Sequence, residues 1–259
     1  MKRVYKSKLE PEALRKYRLR FPEETWEHFR RRCRFGYKEV KQEILHDQHG
    51  LCAYCEISIK LAHEEGEVDD FRVEHFFPKN ATLEHGHNYH LDWRNLLGVC
   101  HGGSQPYVPD AEYRYSSQKR DRSCDVPKGG KEITRYILNP LKIPGKVRIF
   151  RYAEHSGRMY VDEDSCPKHL QARAKSTIRE LNLNAPRLMR MRLEVIHKLE
   201  DEISWAVGQG EALEDILAVL ASNWLVPDYR GVSLPFFSVI RWYLGEAAEQ
   251  VIRQSGDKL

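Results

Sequence analysis

Two cysteines separated by two residues, Cys52 and Cys55 in Leu51-Cys52-Ala53-Tyr54-Cys55-Glu56, have the spacing that lets thiolates from one tight turn bind the same tetrahedral ion. That pair is half a site. The chain carries six cysteines, and Met1-Lys2-Arg3-Val4-Tyr5-Lys6 is charged with no apolar run after it. No signal peptide is expected, a cytoplasmic location follows by default, and reduced thiols point to metal binding or burial rather than disulfides. The second half of the site is expected from Cys100 and Cys124, because Cys33 falls in a helical pattern and Cys166 lies far down the chain beside Pro167. Four thiolates leave no open position for water or substrate, so zinc held there is structural. Between the cysteines stands a second chemistry. Phe71-Arg72-Val73-Glu74-His75-Phe76-Phe77-Pro78-Lys79 reads as a short apolar strand that sets an acid beside an imidazole and breaks at a proline. Asn95 follows in Leu91-Asp92-Trp93-Arg94-Asn95-Leu96-Leu97. After 23 residues inserted behind Cys100, beginning His101-Gly102-Gly103, comes Cys124-Asp125-Val126-Pro127-Lys128-Gly129.

This order of acid and histidine, then asparagine, then a residue behind the last cysteine resembles the HNH endonuclease family. The wider frame resembles the HNH component of Septu-type anti-phage systems: the Cys-Ala-Tyr-Cys-Glu opening, the Leu91–Leu97 segment and Ile137-Leu138-Asn139-Pro140. The resemblance implies a zinc-stapled ββα-metal core that hydrolyses phosphodiesters with Mg²⁺ or Mn²⁺, cations that favour hard oxygen ligands. By the resemblance Asp125 and Glu74 are the ligands of that ion. His75 is the general base, a job for an imidazole neutral near pH 7. Asn95 would bond the backbone of the loop after His75, and Lys128 would touch a phosphate. His101, which directly follows a zinc cysteine, is the alternative to Asp125. The resemblance further implies DNA as the substrate, with RNA, tRNA included, as the alternative, and an ABC-type ATPase as the protein partner. A zinc-bound nucleic-acid-binding or scaffold module without catalysis is the competing reading. Glu74 and His75 are neighbours on a strand and should point to opposite faces, so they share a site only if the strand twists or ends there.

The elements expected to position these groups fall into an α+β chain of four zones. Residues 1–50 form a helical arm, with Leu14, Tyr17, Trp26, Phe29, Tyr37, Val40, Ile44 and Leu45 turned inward and Gly50 as the stop. Residues 51–131, rich in His, Gly and Pro, are the loop-dominated nuclease core. Residues 132–167 form a small β segment punctuated at Pro140, Pro144-Gly145 and Ser156-Gly157. Residues 168–259 form a helical region, in which Leu188, Val195, Leu199, Ile203 and Ala206 mark one face of a helix opened by Pro186. Further helices are expected over 211–223 and 234–253.

The net charge of +4 is unevenly spread, because residues 1–50 hold 14 basic and 8 acidic side chains. A polyanion is therefore expected at Arg30, Arg31 and Arg32, with the inserted segment, including Arg114, Lys119, Arg120 and Arg122, as a basic flap beside it. The longest apolar stretch, near Leu234–Leu244, is cut by Arg241 and falls short of the roughly 20 residues needed to span a membrane. His85, His87 and His90 are expected to be polar loop residues, Phe236, Phe237, Trp242 and Tyr243 core, and Cys33 and Cys166 buried thiols.

Overall fold

The computed structural model describes residues 1–62, 68–79, 87–108 and 110–256. His85 lies outside them.

The N-terminal helical zone is three helices. Helix α1 (Glu12–Arg20) stops at Phe21, where Pro22 follows; α2 (Trp26–Arg32) is capped by the Thr25 hydroxyl, which accepts the His28 amide at 3.3 Å. Cys33 leaves helical geometry at φ −126°, ψ 64°, and α3 (Arg34–Asp47) begins behind it. Leu14, Tyr17, Trp26, Phe29, Val40 and Ile44 are buried, while Tyr37 and Leu45 are half-buried against the same core. Cys33 is half-buried at the break between helices rather than inside one.

Strand β1 (Phe71–His75) pairs antiparallel with β2 (Leu96–Cys100), setting Phe71 opposite Cys100, Glu74 opposite Leu97 and His75 opposite Leu96. The hairpin lies directly on α3 because residue 98 is glycine. A Cβ there would sit 2.6 Å from Ile44 Cγ2. The space is used by Gln48, whose amide donates to the Gly98 carbonyl at 2.8 Å and accepts the Gly98 N–H at 2.7 Å. A 3₁₀ turn at Trp93–Asn95, capped by Asp92, delivers Asn95 to the start of β2.

The insertion carries helix α4 (Ala111–Arg114), and α5 (Asp125–Lys128) is a single turn behind Cys124. Of the expected β segment, the structure forms one ribbon: β3 (Phe150–Tyr152) against β4 (Met159–Val161), with Arg151 opposite Tyr160. The C-terminal helices are α6 (Lys168–Glu180), α7 (Pro186–Gly208), α8 (Leu213–Leu225), α9 (Phe237–Tyr243) and α10 (Gly245–Ser255). The largest apolar cluster draws residues from all four zones, from Met1 to Val239. A second, smaller cluster joins Leu199, Leu220, Ile240 and Val251 of the C-terminal helices. Phe236 and Phe237 are buried, with Trp242 and Tyr243 packed against the same clusters. No helix among the described residues is long and apolar enough to cross a membrane.

Candidate active site and metal centre

Cys52, Cys55, Cys100 and Cys124 meet in the buried interior with their sulfur atoms within 4.8 Å of one another. Cys52 and Cys124 are 3.9 Å apart, and Cys55–Cys100 and Cys100–Cys124 are each 3.6 Å. A tetrahedral zinc with bonds of about 2.3 Å has sulfur–sulfur edges of about 3.8 Å, so the four sulfurs fit that ion. Their electrostatics agree. Hydrogen bonds from the neighbouring thiols hold the Cys100 thiol well below its usual range, while burial pushes those of Cys52 and Cys124 up. An apolar pocket cannot carry several thiolates without a cation among them.

The long insertion leaves this geometry intact because its two ends are pinned together. The Ser123 amide donates to the Gly102 carbonyl at 3.0 Å, so the 23 residues leave and return at one point. Gly102 has φ +57°, and a Cβ there would lie 2.1 Å from the Ser123 carbonyl oxygen. Cys124 itself holds φ 61°, ψ −126°, a conformation that costs a non-glycine residue roughly 1–3 kcal/mol. Its amide donates to the Leu181 carbonyl at 2.9 Å behind α6, and the buried Arg187 of α7 donates to the Ser123 hydroxyl.

Asp125 comes next, and it opens a cleft of about 1080 Å³, open solvent included, lined also by Arg72, Glu74, His75, Lys79 and Lys128. Strand β1 ends at His75, which is how two sequence neighbours come to line one cleft. Each carboxylate is matched by a cation. Arg72 Nη2 donates to Asp125 Oδ1 at 2.8 Å while Nε lies 2.6 Å from Oδ2, and Lys128 Nζ donates to Glu74 Oε1 at 2.6 Å. Burial raises the pKa of Asp125, and raises that of Glu74 to about 7. Lys128 is 1% exposed and also donates to the His75 carbonyl at 3.0 Å, so its ammonium is turned to these two groups rather than to solvent.

The His75 ring is buried, edge-on to Trp26 with centroids 5.3 Å apart. Nε2 lies 3.1 Å from the His90 carbonyl, an acceptor only, so the ring proton sits on Nε2 and Nδ1 is the basic nitrogen. Burial pushes the His75 pKa down to about 3, and the ring is neutral. Asn95 fixes the loop that follows: its Oδ1 accepts the Phe77 amide at 2.7 Å, and its Nδ2 donates to the carbonyls of Phe77 and Tyr89 at 3.1 and 2.9 Å.

His101 stands apart, 2.9 Å from the Asp69 carbonyl, in a separate cavity of about 240 Å³ with Asp70, Arg114 and Arg187. His87 pairs with Asp92, and His90 Nδ1 accepts the Trp26 amide at 3.3 Å. Arg30, Arg31 and Arg32 are exposed on α2, the helix whose Trp26 contacts His75, and Arg120 is 80% exposed in the insertion. Sequence reasoning missed Arg72, Gln48, Tyr54 and the His90 carbonyl. Only Arg72 left a signal, since it shares the Glu74 face of β1 at a two-residue spacing. The Tyr54 hydroxyl is buried without a hydrogen-bond partner, with Glu74 and Asp125 acting on it electrostatically. An orphaned hydroxyl beside two carboxylates, both hard oxygen donors, fits a site for Mg²⁺ or Mn²⁺.

No family model matches the chain. A protein of Escherichia coli described as "Retron Ec83 putative HNH endonuclease" is 32% identical over 209 residues, which is 76% of this chain and 79% of that relative. The chain therefore belongs to the HNH endonuclease family, nucleases whose substrates are nucleic acids.

Proposed function

We propose that the chain is a metal-dependent endonuclease that hydrolyses phosphodiester bonds, with DNA as its substrate, and that His75 is its general base. The observation that carries this is the imidazole. Its proton is committed to a backbone carbonyl, and its ring lies in the same cleft as two carboxylates. A Mg²⁺ or Mn²⁺ ion held by Asp125 and Glu74 would neutralise phosphoryl oxygens and stabilise the leaving alkoxide. His75 Nδ1 takes the proton of the attacking water, and Nε2–H stays on the His90 carbonyl so that the ring keeps its tautomer. Asn95 holds the loop behind His75 and so aims the ring. Lys128 and Arg72 neutralise the two acids, and Arg72, half-buried on the cleft wall, is the cation through which the site meets an anionic backbone, with Arg30, Arg31, Arg32 and Arg120 extending that field outward. Zinc on Cys52, Cys55, Cys100 and Cys124 holds Asp125 in place and takes no part in the reaction.

In this reading the enzyme is the cytoplasmic effector of a Septu-type anti-phage complex, and an ABC-type ATPase docks on the C-terminal helices, where Trp205, Leu213 and Val219 are exposed. The relative's name speaks of a retron and of neither Septu nor an ATPase. The test is incubation of the purified protein with plasmid DNA and with total RNA, in Mg²⁺ or Mn²⁺, with and without the neighbouring gene product. Cleavage of plasmid that His75→Ala abolishes supports the reading. Cleavage of RNA alone replaces the substrate, and binding without cleavage in every arm replaces the enzyme with a binding module.

A further inference from the structure

A second concavity lies between the β3–β4 ribbon and α6, with a volume of about 1090 Å³, open solvent included. Arg151, Arg158, Tyr160, Lys175 and Arg179 line it. Tyr160 is 42% exposed on the outer face of the ribbon, directly opposite Arg151 and two residues beyond Arg158. The two guanidinium carbons stand 5.7 and 5.8 Å from its ring centroid. Lys175 and Arg179, one helical turn apart on α6, pair with Glu163 and Glu180 at 2.6 and 2.9 Å, but these are surface pairs of little strength. Among the described residues neither Arg151 nor Arg158 forms an ion pair with a carboxylate.

This surface is joined to the candidate active site by main-chain contacts. Asn182, at its edge, donates to the carbonyls of Arg120 and Arg122, each at 2.8 Å, and the adjacent Leu181 carbonyl accepts the Cys124 amide. Asp125, the next residue, already lines the catalytic cleft. One short strand of chain, Arg122–Cys124, separates the two.

We propose that this concavity binds single-stranded nucleic acid flanking the bond to be cut, its phosphates on Arg151, Arg158, Lys175 and Arg179 and an unpaired base stacked on Tyr160. The proposal rests on the nuclease reading and says where its substrate runs. Cations that track a backbone beside an exposed aromatic ring are how proteins hold single strands irrespective of sequence. A base inside a duplex is stacked on its neighbours and offers Tyr160 no free face.

The test is fluorescence anisotropy of a labelled single-stranded oligonucleotide and of its duplex with the full-length zinc-loaded chain, in the His75→Ala background and with no Mg²⁺ or Mn²⁺ added. Tyr160→Leu should raise the single-strand Kd about 10-fold, within the range set by one lost stack. Arg151→Glu with Arg158→Glu should raise it further and flatten the salt dependence by about 1.4 in slope, for two phosphates on a single strand. Arg253→Glu, a charge reversal on α10, is the control. All three test side chains are exposed, so zinc content and unfolding temperature should not change. The proposal is overturned if the wild-type chain binds no oligonucleotide, if it prefers the duplex, or if Arg253→Glu costs as much as the paired reversal. The two readings fail separately: cleavage abolished by His75→Ala with binding indifferent to Tyr160 and Arg151 sinks only the track. Tyr160-dependent binding with no cleavage by the His75-intact chain sinks only the nuclease.

Discussion

Replacing Cys124 with Ser removes one corner of the thiolate cluster, and the structure says how much that should cost. The four sulfurs sit 3.6 to 3.9 Å apart along three edges, all buried, in a zone whose described regular structure is one hairpin of two five-residue strands and four short turns of helix. Apparent binding energies of structural zinc in small modules are about 10–16 kcal/mol, as large as the roughly 5–15 kcal/mol by which a whole domain is folded. Without the ion, the left-handed backbone of Cys124 also keeps its strain of roughly 1–3 kcal/mol with nothing to offset it. A loss of only about 5 kcal/mol would lower the unfolding temperature by about 10–20 °C for a chain of this size. The assay is metal analysis of purified protein, followed by thermal unfolding monitored by circular dichroism before and after chelation, with Mg²⁺ restored so that only zinc is withdrawn. Wild type should hold one zinc per chain, Cys124→Ser far less, and chelated wild type should melt with the variant. Cys166→Ser, whose thiol lies beside the Pro167 carbonyl and outside the cluster, should keep its zinc. Folded, unchelated wild type with a zinc content near zero would falsify the assignment, as would full occupancy in Cys124→Ser.

His75→Ala should lower cleavage by roughly 10²- to 10⁴-fold, the usual contribution of a general base, while zinc content and oligonucleotide affinity stay near wild type; cutting at the wild-type rate removes His75 from the mechanism. Asp125→Ala should weaken activation by Mg²⁺ and regain part of its activity at high metal concentration, whereas His101→Ala should do neither, since His101 occupies a separate cavity. A metal-dependent defect confined to His101→Ala, read from cleavage against Mg²⁺ and Mn²⁺ concentration, reverses that assignment. Gly98→Ala drives a methyl to 2.6 Å from Ile44 Cγ2 and should cost about 1–3 kcal/mol, or about 5 °C in unfolding temperature, by calorimetry. Gly102→Ala meets backbone at 2.1 Å, which no rotamer can relieve, and should cost more and lower zinc content besides; a neutral result would mean that the ends of the insertion are not clamped as described.

The cysteine set was legible because thiols in a reduced chain have few fates and the spacing of Cys52 and Cys55 names one of them. The inward residues of α1 to α3 were legible from helical periodicity, which survives even though Pro22 and Cys33 cut the zone into three. What the sequence hid was pairing across distance. Nothing near Gln48 announces that its amide will close on the peptide of Gly98, and nothing near His90 marks its carbonyl as the group that sets the tautomer of His75. The expected β segment shrank to two three-residue strands because most of residues 133–149 is turns that pack their apolar side chains without forming a ladder. Lys128 illustrates the limit of motif reading: a lysine near a phosphate-handling site suggests an exposed contact, yet burial and Glu74 decide where its ammonium points.

The clamp on the last cysteine bears on how the protein can be made. The four clustered cysteines end at Cys124, so a ribosome has delivered all of them before it reaches the β3–β4 ribbon. The amide of that cysteine donates to the Leu181 carbonyl, and the hydroxyl of its neighbour Ser123 accepts from Arg187, 64 residues further on. During synthesis at roughly 5–20 residues per second, the ligand set exists for several seconds before the segment that braces its final corner has emerged. Zinc captured in that interval would hold a loop still free to swing, and Asp125 would reach its place against Arg72 only when α6 and α7 arrive. The candidate cleft then takes its shape only once α6 and α7 have emerged, and a chain truncated before Arg187 carries the full motif without the braces that position Asp125.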